Sequence, residues 1–177
     1  MLYTRKGDSG TSGLYCTTER FSKCDAVYEA LGALDELNSL LGICRASVPR
    51  KKHAISIARE IRTVQECLFI IQAELAGALK SLLPVHVKRL ERVIGRIEEL
   101  MRAPHAFVIP GATKMSALLD YARAMSRRAE RSVLSVHTTR NLSPHTLAYL
   151  NRLSSLLYAL ARYVAGAEGK SELSPSY

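Results

Sequence analysis

The sequence predicts an all-α protein, an antiparallel five-helix bundle with a glycine-rich N-terminal nucleotide-binding segment. Three observations carry this. Apolar residues recur at steps of three and four over five long stretches. Proline or a hydroxyl residue opens most of those stretches, and no alternating strand pattern competes with them. The helices are joined by short connections, and the arrangement that buries their stripes most simply is a bundle.

The first helix is expected to start at a capping-box-like Ser22 and Asp25, and Val27, Ala30, Leu31, Leu34, Leu37 and Leu41 carry it to about Ala46. Pro49 opens the second, whose stripe Ile57, Ile61, Val64, Leu68, Ile71 and Leu75 runs to about Leu79. Pro84 sits in the first turn of the third, which stops before Pro104. A loop follows, HAFVIPGAT, with turn chemistry at Pro110-Gly111 and no helical period in Phe107, Val108 and Ile109. Thr113 caps the fourth helix and Ser143-Pro144 starts the fifth, each more than about twenty residues long. The tail from Gly166 is expected to fray.

The chain has 177 residues, which fits one domain spanning 1–177 with residues 1–24 as its N-terminal segment. Such a length buries roughly two thirds of the unfolded surface without metal or disulfide staples. The formal charge of +9 favours an anionic partner: a nucleotide, a nucleic acid or a membrane surface. Cys16, Cys24, Cys44 and Cys67 form no CxxC pair, so reduced thiols in a cytoplasmic setting are expected. No apolar leader core or membrane-spanning stretch is read from the chain.

Residues 4–14, TRKGDSGTSGL, combine glycines that expose backbone N–H groups with hydroxyls at Thr4, Ser9, Thr11 and Ser12. Arg5, Lys6 and, in RFSK, Lys23 add positive charge. An oligophosphate asks for that chemistry. In RAMSRRAER, Arg123, Arg127 and Arg131 stack one turn apart, Arg128 points elsewhere and Glu130 lies three from Arg127. The face is either a triphosphate site, with Glu130 holding an arginine, or a solvated basic surface. Asp35, three before Asn38, is either an exposed helix edge or the partner of an arginine on the fourth helix. Asn151 and Ser154 share a face of the fifth helix.

Several site types are excluded by residue order. No histidine has a glutamate three before it, which rules out a di-iron carboxylate bundle. Gly169-Lys170-Ser171 has Val164 where a Walker loop needs its first glycine, and GDSGTSG lacks that loop's lysine. No metal-ligating residues are assigned.

Six segments, TRKGDSGTSGL, RFSK, LDELNSLLG, FVIPGAT, RRAER and YLNRLSSLLYALAR, occur in order and spacing from Tyr3 to about Arg162 as in the PduO-type ATP:cob(I)alamin adenosyltransferases. The chain resembles that family. The resemblance implies a five-helix homotrimer with active sites between subunits, which moves the 5′-deoxyadenosyl group of ATP onto cob(I)alamin with Mg2+ present and releases triphosphate. It implies that Thr4, Arg5, Lys6, Gly7, Ser12, Gly13 and Lys23 wrap the nucleotide, and that Arg127, Arg128, Glu130, Arg131 and Asn151 complete the site. It further implies that Asp35 pairs with Arg123 and that Phe107 lies against the lower face of the corrin. A cobalamin reductase and an adenosylcobalamin-dependent enzyme are implied partners. Ser9, Ala112 and Ser155 depart from the family pattern. Two rival functions are an ATP-binding cobalamin chaperone or sensor, and a non-catalytic basic bundle binding nucleic acid or a protein. Salt-steep binding would mark the nucleic-acid case.

Overall fold

The computed structural model describes residues 3–15, 17–48, 54–101 and 106–177. Five helices dominate: α1 (Ala26–Ala46), α2 (Ile57–Leu75), α3 (Pro84–Leu100), α4 (Lys114–Arg140) and α5 (Pro144–Ala167). Ahead of them lies a two-stranded antiparallel ribbon, β1 (Thr11–Gly13) and β2 (Arg20–Ser22), with Ser12 opposite Phe21. The sequence shows no sign of this ribbon, because three-residue strands are too short to display alternation.

Laterally the helices follow the order α2, α1, α4, α5, α3. The bundle closes on itself where Arg89 of α3 meets Glu60 of α2 at 2.9 Å. Leu34, Leu37, Leu41, Ile61, Leu68, Leu119, Leu150 and Leu157 are fully enclosed and form the shared core. α4 packs on both α1 and α5 and lies in the middle of that order. Between α4 and α5 only Asn141–Ser143 intervene, which makes them antiparallel neighbours.

The helix caps follow the sequence at three of five starts. Pro84 opens α3; Thr113 caps α4, its side chain accepting from Ser116 N at 3.1 Å; and Ser143 caps α5, accepting from His145 N. Two boundaries differ. Ser22 belongs to β2, and α1 starts after Asp25 with no side-chain cap. α2 ends at Leu75 rather than near Leu79, because Gly77 takes φ +95°. The N–H groups of Gly77 and Ala78 turn back onto the carbonyls of Glu74 and Ala73 and stop the helix. The expected start of α2 at Pro49, the stop at Pro104 and Cys16 lie outside the described residues.

The C-terminal tail, expected to fray, is held at two points. Ile109 N–H donates to Leu173 O at 2.7 Å, and Glu172 reaches Arg162 at 2.9 Å. Among the described residues, no helix is long and apolar enough to cross a membrane.

Candidate functional site

The glycine-rich segment is folded back on itself by two basic side chains. Arg20 Nη2 donates to the carbonyl of Lys6 and, at 2.8 Å, to that of Thr11, while its Nε reaches Thr11 Oγ1 at 3.0 Å. Lys23 Nζ donates to Gly7 O at 2.9 Å, and Lys23 N–H to Gly10 O at 2.9 Å. Gly10, at φ +78°, makes the turn into β1, a conformation an L side chain resists. Arg5 also takes a positive φ, 60°, an uncommon state for a non-glycine residue. With the carbonyls engaged by Arg20 and Lys23, the exposed side chains of Thr4, Arg5 and Lys6 face solvent.

The ribbon rests at the C-terminal end of α4, where the Arg140 guanidinium lies 6.0 Å from the centre of the Phe21 ring. Phe107 stands at the other end of the same helix. It is 79% exposed and shares a cleft of about 470 Å³ with Asp120, Arg123, Tyr158 and Arg162. Such exposure rules out a ring that merely caps the core. A second cleft of about 310 Å³ lies alongside, between α3, α4 and α5, and Arg123, Ser154, Ser155, Tyr158 and Arg162 line it. Arg123 and Arg140 are separated by about 25 Å along α4, at 1.5 Å per residue.

Between these ends runs the arginine ladder. Arg127 and Arg131 are exposed and, among the described residues, meet no carboxylate. Arg128, on the adjacent face, pairs with Glu36 and lies 3.7 Å from Glu29. An ion-pair lock between α1 and α4 is therefore present, but it is made by Glu36 and Arg128. The expected Asp35–Arg123 pair is not formed within the chain: Asp35 points to solvent, whereas Arg123 Nε is buried and, among the described residues, has no hydrogen-bond partner. Successive residues on a helix are turned by about 100°, so Glu36 facing α4 takes Asp35 away from it.

Glu130, the acid that could have held an arginine, accepts from Asn151 Nδ2 at 3.1 Å, and Asn151 Oδ1 accepts from Arg152 at 2.8 Å. The structure thus brings Glu130 and Asn151 together across α4 and α5. Ser9 lies within 3.4 Å of Thr11 Oγ1.

Sequence reasoning misses the buried centre of the cleft. Arg162, 3% exposed, bonds Asp120 with Nη2, approaches Glu172 with Nε and lies 5.0 Å from the Tyr158 ring centre. Burial pushes the Glu172 carboxyl above its ordinary value, Arg162 pulls it down and Asp120 pushes it up again. An acid in LLDYARAM and an arginine in LARYVAGA, each amid apolar neighbours, are the signals that could have found the pair. Among the described residues, no three His, Cys, Asp or Glu side chains converge to hold a metal ion.

The family model for cobalamin adenosyltransferase matches residues 2–164. A corrinoid adenosyltransferase of Citrobacter freundii is 37% identical over 168 residues, covering 91% of this chain and 93% of that protein. The corrinoid adenosyltransferase PduO of Salmonella typhimurium is 36% identical over 91% of this chain, which spans only 48% of that longer protein. The human corrinoid adenosyltransferase MMAB is 35% identical over 97% of this chain and 71% of its own length. Among solved structures, a variant PduO-type ATP:corrinoid adenosyltransferase from Lactobacillus reuteri complexed with cobalamin and ATP superposes with TM-score 0.92 at 26% identity, covering 100% of both chains.

Proposed function

The chain belongs to the cobalamin adenosyltransferase family, and on that premise we propose that it transfers the 5′-deoxyadenosyl group of ATP to the cobalt of cob(I)alamin. The cobalt electron pair attacks C5′ and forms the Co–C bond. The C5′–O bond breaks, and triphosphate leaves with its bonding pair. The observation that carries this reading is the ladder of unpaired Arg127 and Arg131, which leads from the ribbon side of α4 toward the cleft beside Phe107.

The residues suit that chemistry. Cobalt is itself the nucleophile, so the protein has to align it with C5′ and stabilise charge growing on the leaving group. Arg127, Arg128 and Arg131 supply that charge, with Lys6 and Lys23 beside the N-terminal backbone. Thr4, Arg5, Gly7, Ser12 and Gly13 wrap the nucleotide, and the Glu130–Asn151 pair borders its phosphates. Phe107 lies against the corrin. No acidic cage is present among the described residues, which suits Mg2+, an ion that keeps its waters and takes ligands from substrate phosphates. The ion would supply charge neutralisation on the triphosphate.

Two observations support a site shared between copies, as in a homotrimer. Among the described residues Asp35 is exposed without an ion-pair partner and Arg123 Nε is buried without a hydrogen-bond partner, and a neighbouring copy can supply both. The ribbon meets Arg140 and the Phe107 cleft takes in Arg123, two positions about 25 Å apart along α4, too far for one ATP to bridge unless a second chain contributes one end. Free Cys24, Cys44 and Cys67 fit a reducing cytoplasm. There a reductase would supply Co(I), and an adenosylcobalamin-dependent enzyme would accept the product.

The test is an anaerobic reaction of protein, ATP and chemically reduced cobalamin. Adenosylcobalamin and triphosphate in equal amounts are expected. Release of ADP and phosphate, or no alkylation, would sink the proposal.

A further inference from the structure

We propose that residues 168–173 form a clasp that fixes the position of the Phe107 loop, with Glu172 and Leu173 as positioning residues. The clasp begins at Gly169, whose φ of +70° ends α5. The N–H groups of Gly169 and Lys170 bond the carbonyls of Gly166 and Ala165, and this reverses the chain so that the tail runs back onto the bundle. The Gly-Lys-Ser string that imitates part of a phosphate loop thus has a different job. Its glycine is a helix stop that aims the tail.

Beyond that turn the tail makes two different kinds of contact. Leu173 contributes its carbonyl to Ile109 N–H at 2.7 Å, two residues from Phe107. Glu172 contributes its carboxylate to Arg162 at 2.9 Å. The same guanidinium is fixed from the other side by Asp120 of α4 and lies near the Tyr158 ring of α5. The loop is therefore tied through Leu173, Glu172 and Arg162 to two helices of the bundle. Apolar burial contributes little, since Leu173 is 70% exposed and Phe107 79%. Among the described residues, one backbone bond and one ion pair tie the loop to the tail and the bundle, and the ion pair is the part a single side chain can remove.

Charge accounting points the same way. One guanidinium faces two carboxylates, and Glu172, at 14% side-chain exposure against 5% for Asp120, is the less enclosed of the two. Asp120 is thus the structural partner of Arg162, and Glu172 the releasable one. Loss of Glu172 would leave Arg162 paired and the bundle intact while freeing the loop.

The experiment compares the full chain with Glu172→Gln and Gly169→Ala by amide hydrogen exchange, with corrinoid and ATP KM values measured beside it. The KM part rests on the adenosyltransferase reading, whereas exchange is read without substrate, so failure of that reading and failure of the clasp are distinguishable. The expected result is a protected Ile109 amide in the unaltered chain. In both variants its exchange should quicken by about tenfold or more while α2 and α5 amides keep their rates, and corrinoid KM should rise with ATP KM unchanged. An unprotected Ile109 in the unaltered chain would overturn the clasp. So would unchanged exchange at Ile109 in Glu172→Gln, and an unchanged corrinoid KM after protection is lost would overturn the positioning role.

Discussion

Asn151 Nδ2 donates to Glu130 Oε1 at 3.1 Å, so the acid of the arginine-rich helix is engaged by α5, and Arg127 meets no carboxylate among the described residues. An exposed unpaired guanidinium adds little to the fold and is free to meet a phosphate. Arg127→Ala should lower kcat/KM for ATP by about a hundredfold, the scale of losing a charged hydrogen bond to the transition state. The melting temperature should hardly move. Steady-state kinetics and a thermal melt check both halves, and an unchanged kcat/KM would remove Arg127 from the triphosphate site.

Asp120→Ala should be far more damaging to stability than any change on the ladder. It leaves the Arg162 guanidinium, 3% exposed, with only Glu172 opposite. Removing one partner of a buried pair costs about 3 kcal/mol or more. Urea denaturation is the measurement, with Glu36→Gln as the control. Glu36 pairs with Arg128 at the surface, and its loss should cost less than about 1 kcal/mol.

Arg20→Ala should disturb nucleotide use without touching the nucleotide. Its guanidinium ties the carbonyls of Lys6 and Thr11, so its removal frees the segment that carries the proposed nucleotide contacts. ATP KM should rise about tenfold while corrinoid KM stays constant, a split that ordering entropy of this size predicts. Equal rises in both would point to general unfolding instead.

Alkaline pH should destabilise the protein through Cys44. Burial pushes its thiol from 9.0 up to about 11, with its own backbone hydrogen bond opposing. The folded state therefore keeps a proton that the unfolded chain releases. This contribution is fully present below pH 9 and is lost as the pH rises to about 11, amounting to ~2–3 kcal/mol at 1.36 kcal/mol per unit. Denaturation at pH 8 and 10.5, compared with Cys44→Ala, isolates it. Cys44 and Cys67 should also resist a thiol reagent that labels exposed Cys24.

Which features were legible in the sequence follows from how local their causes are. Pro84, Thr113 and Ser143-Pro144 mark the helix starts because capping is decided within four residues. Gly77 was as local a signal for the end of α2, but the apolar Leu79 and the residues before it extended the stripe past it. The Asp120–Arg162 pair could not be read, because its members are 42 residues apart and nothing in either helix names the other. Arg123 was legible as one rung of a basic face, and Asp35 as either an exposed helix edge or the partner of an arginine on α4; their pairing was implied only by the family resemblance and is not an intrachain contact. Phe107 stood out as an apolar residue without helical period, and its exposure beside charged groups was visible only in three dimensions.

The length of α4 carries a genetic consequence. With the ribbon at one end and Phe107 at the other, a composite site between copies would let two defective chains repair each other. A chain altered at Lys23 and a chain altered at Phe107, inactive apart, should regain part of their activity when co-assembled, because some interfaces would join two sound halves. Two alterations at the same end would show no such rescue.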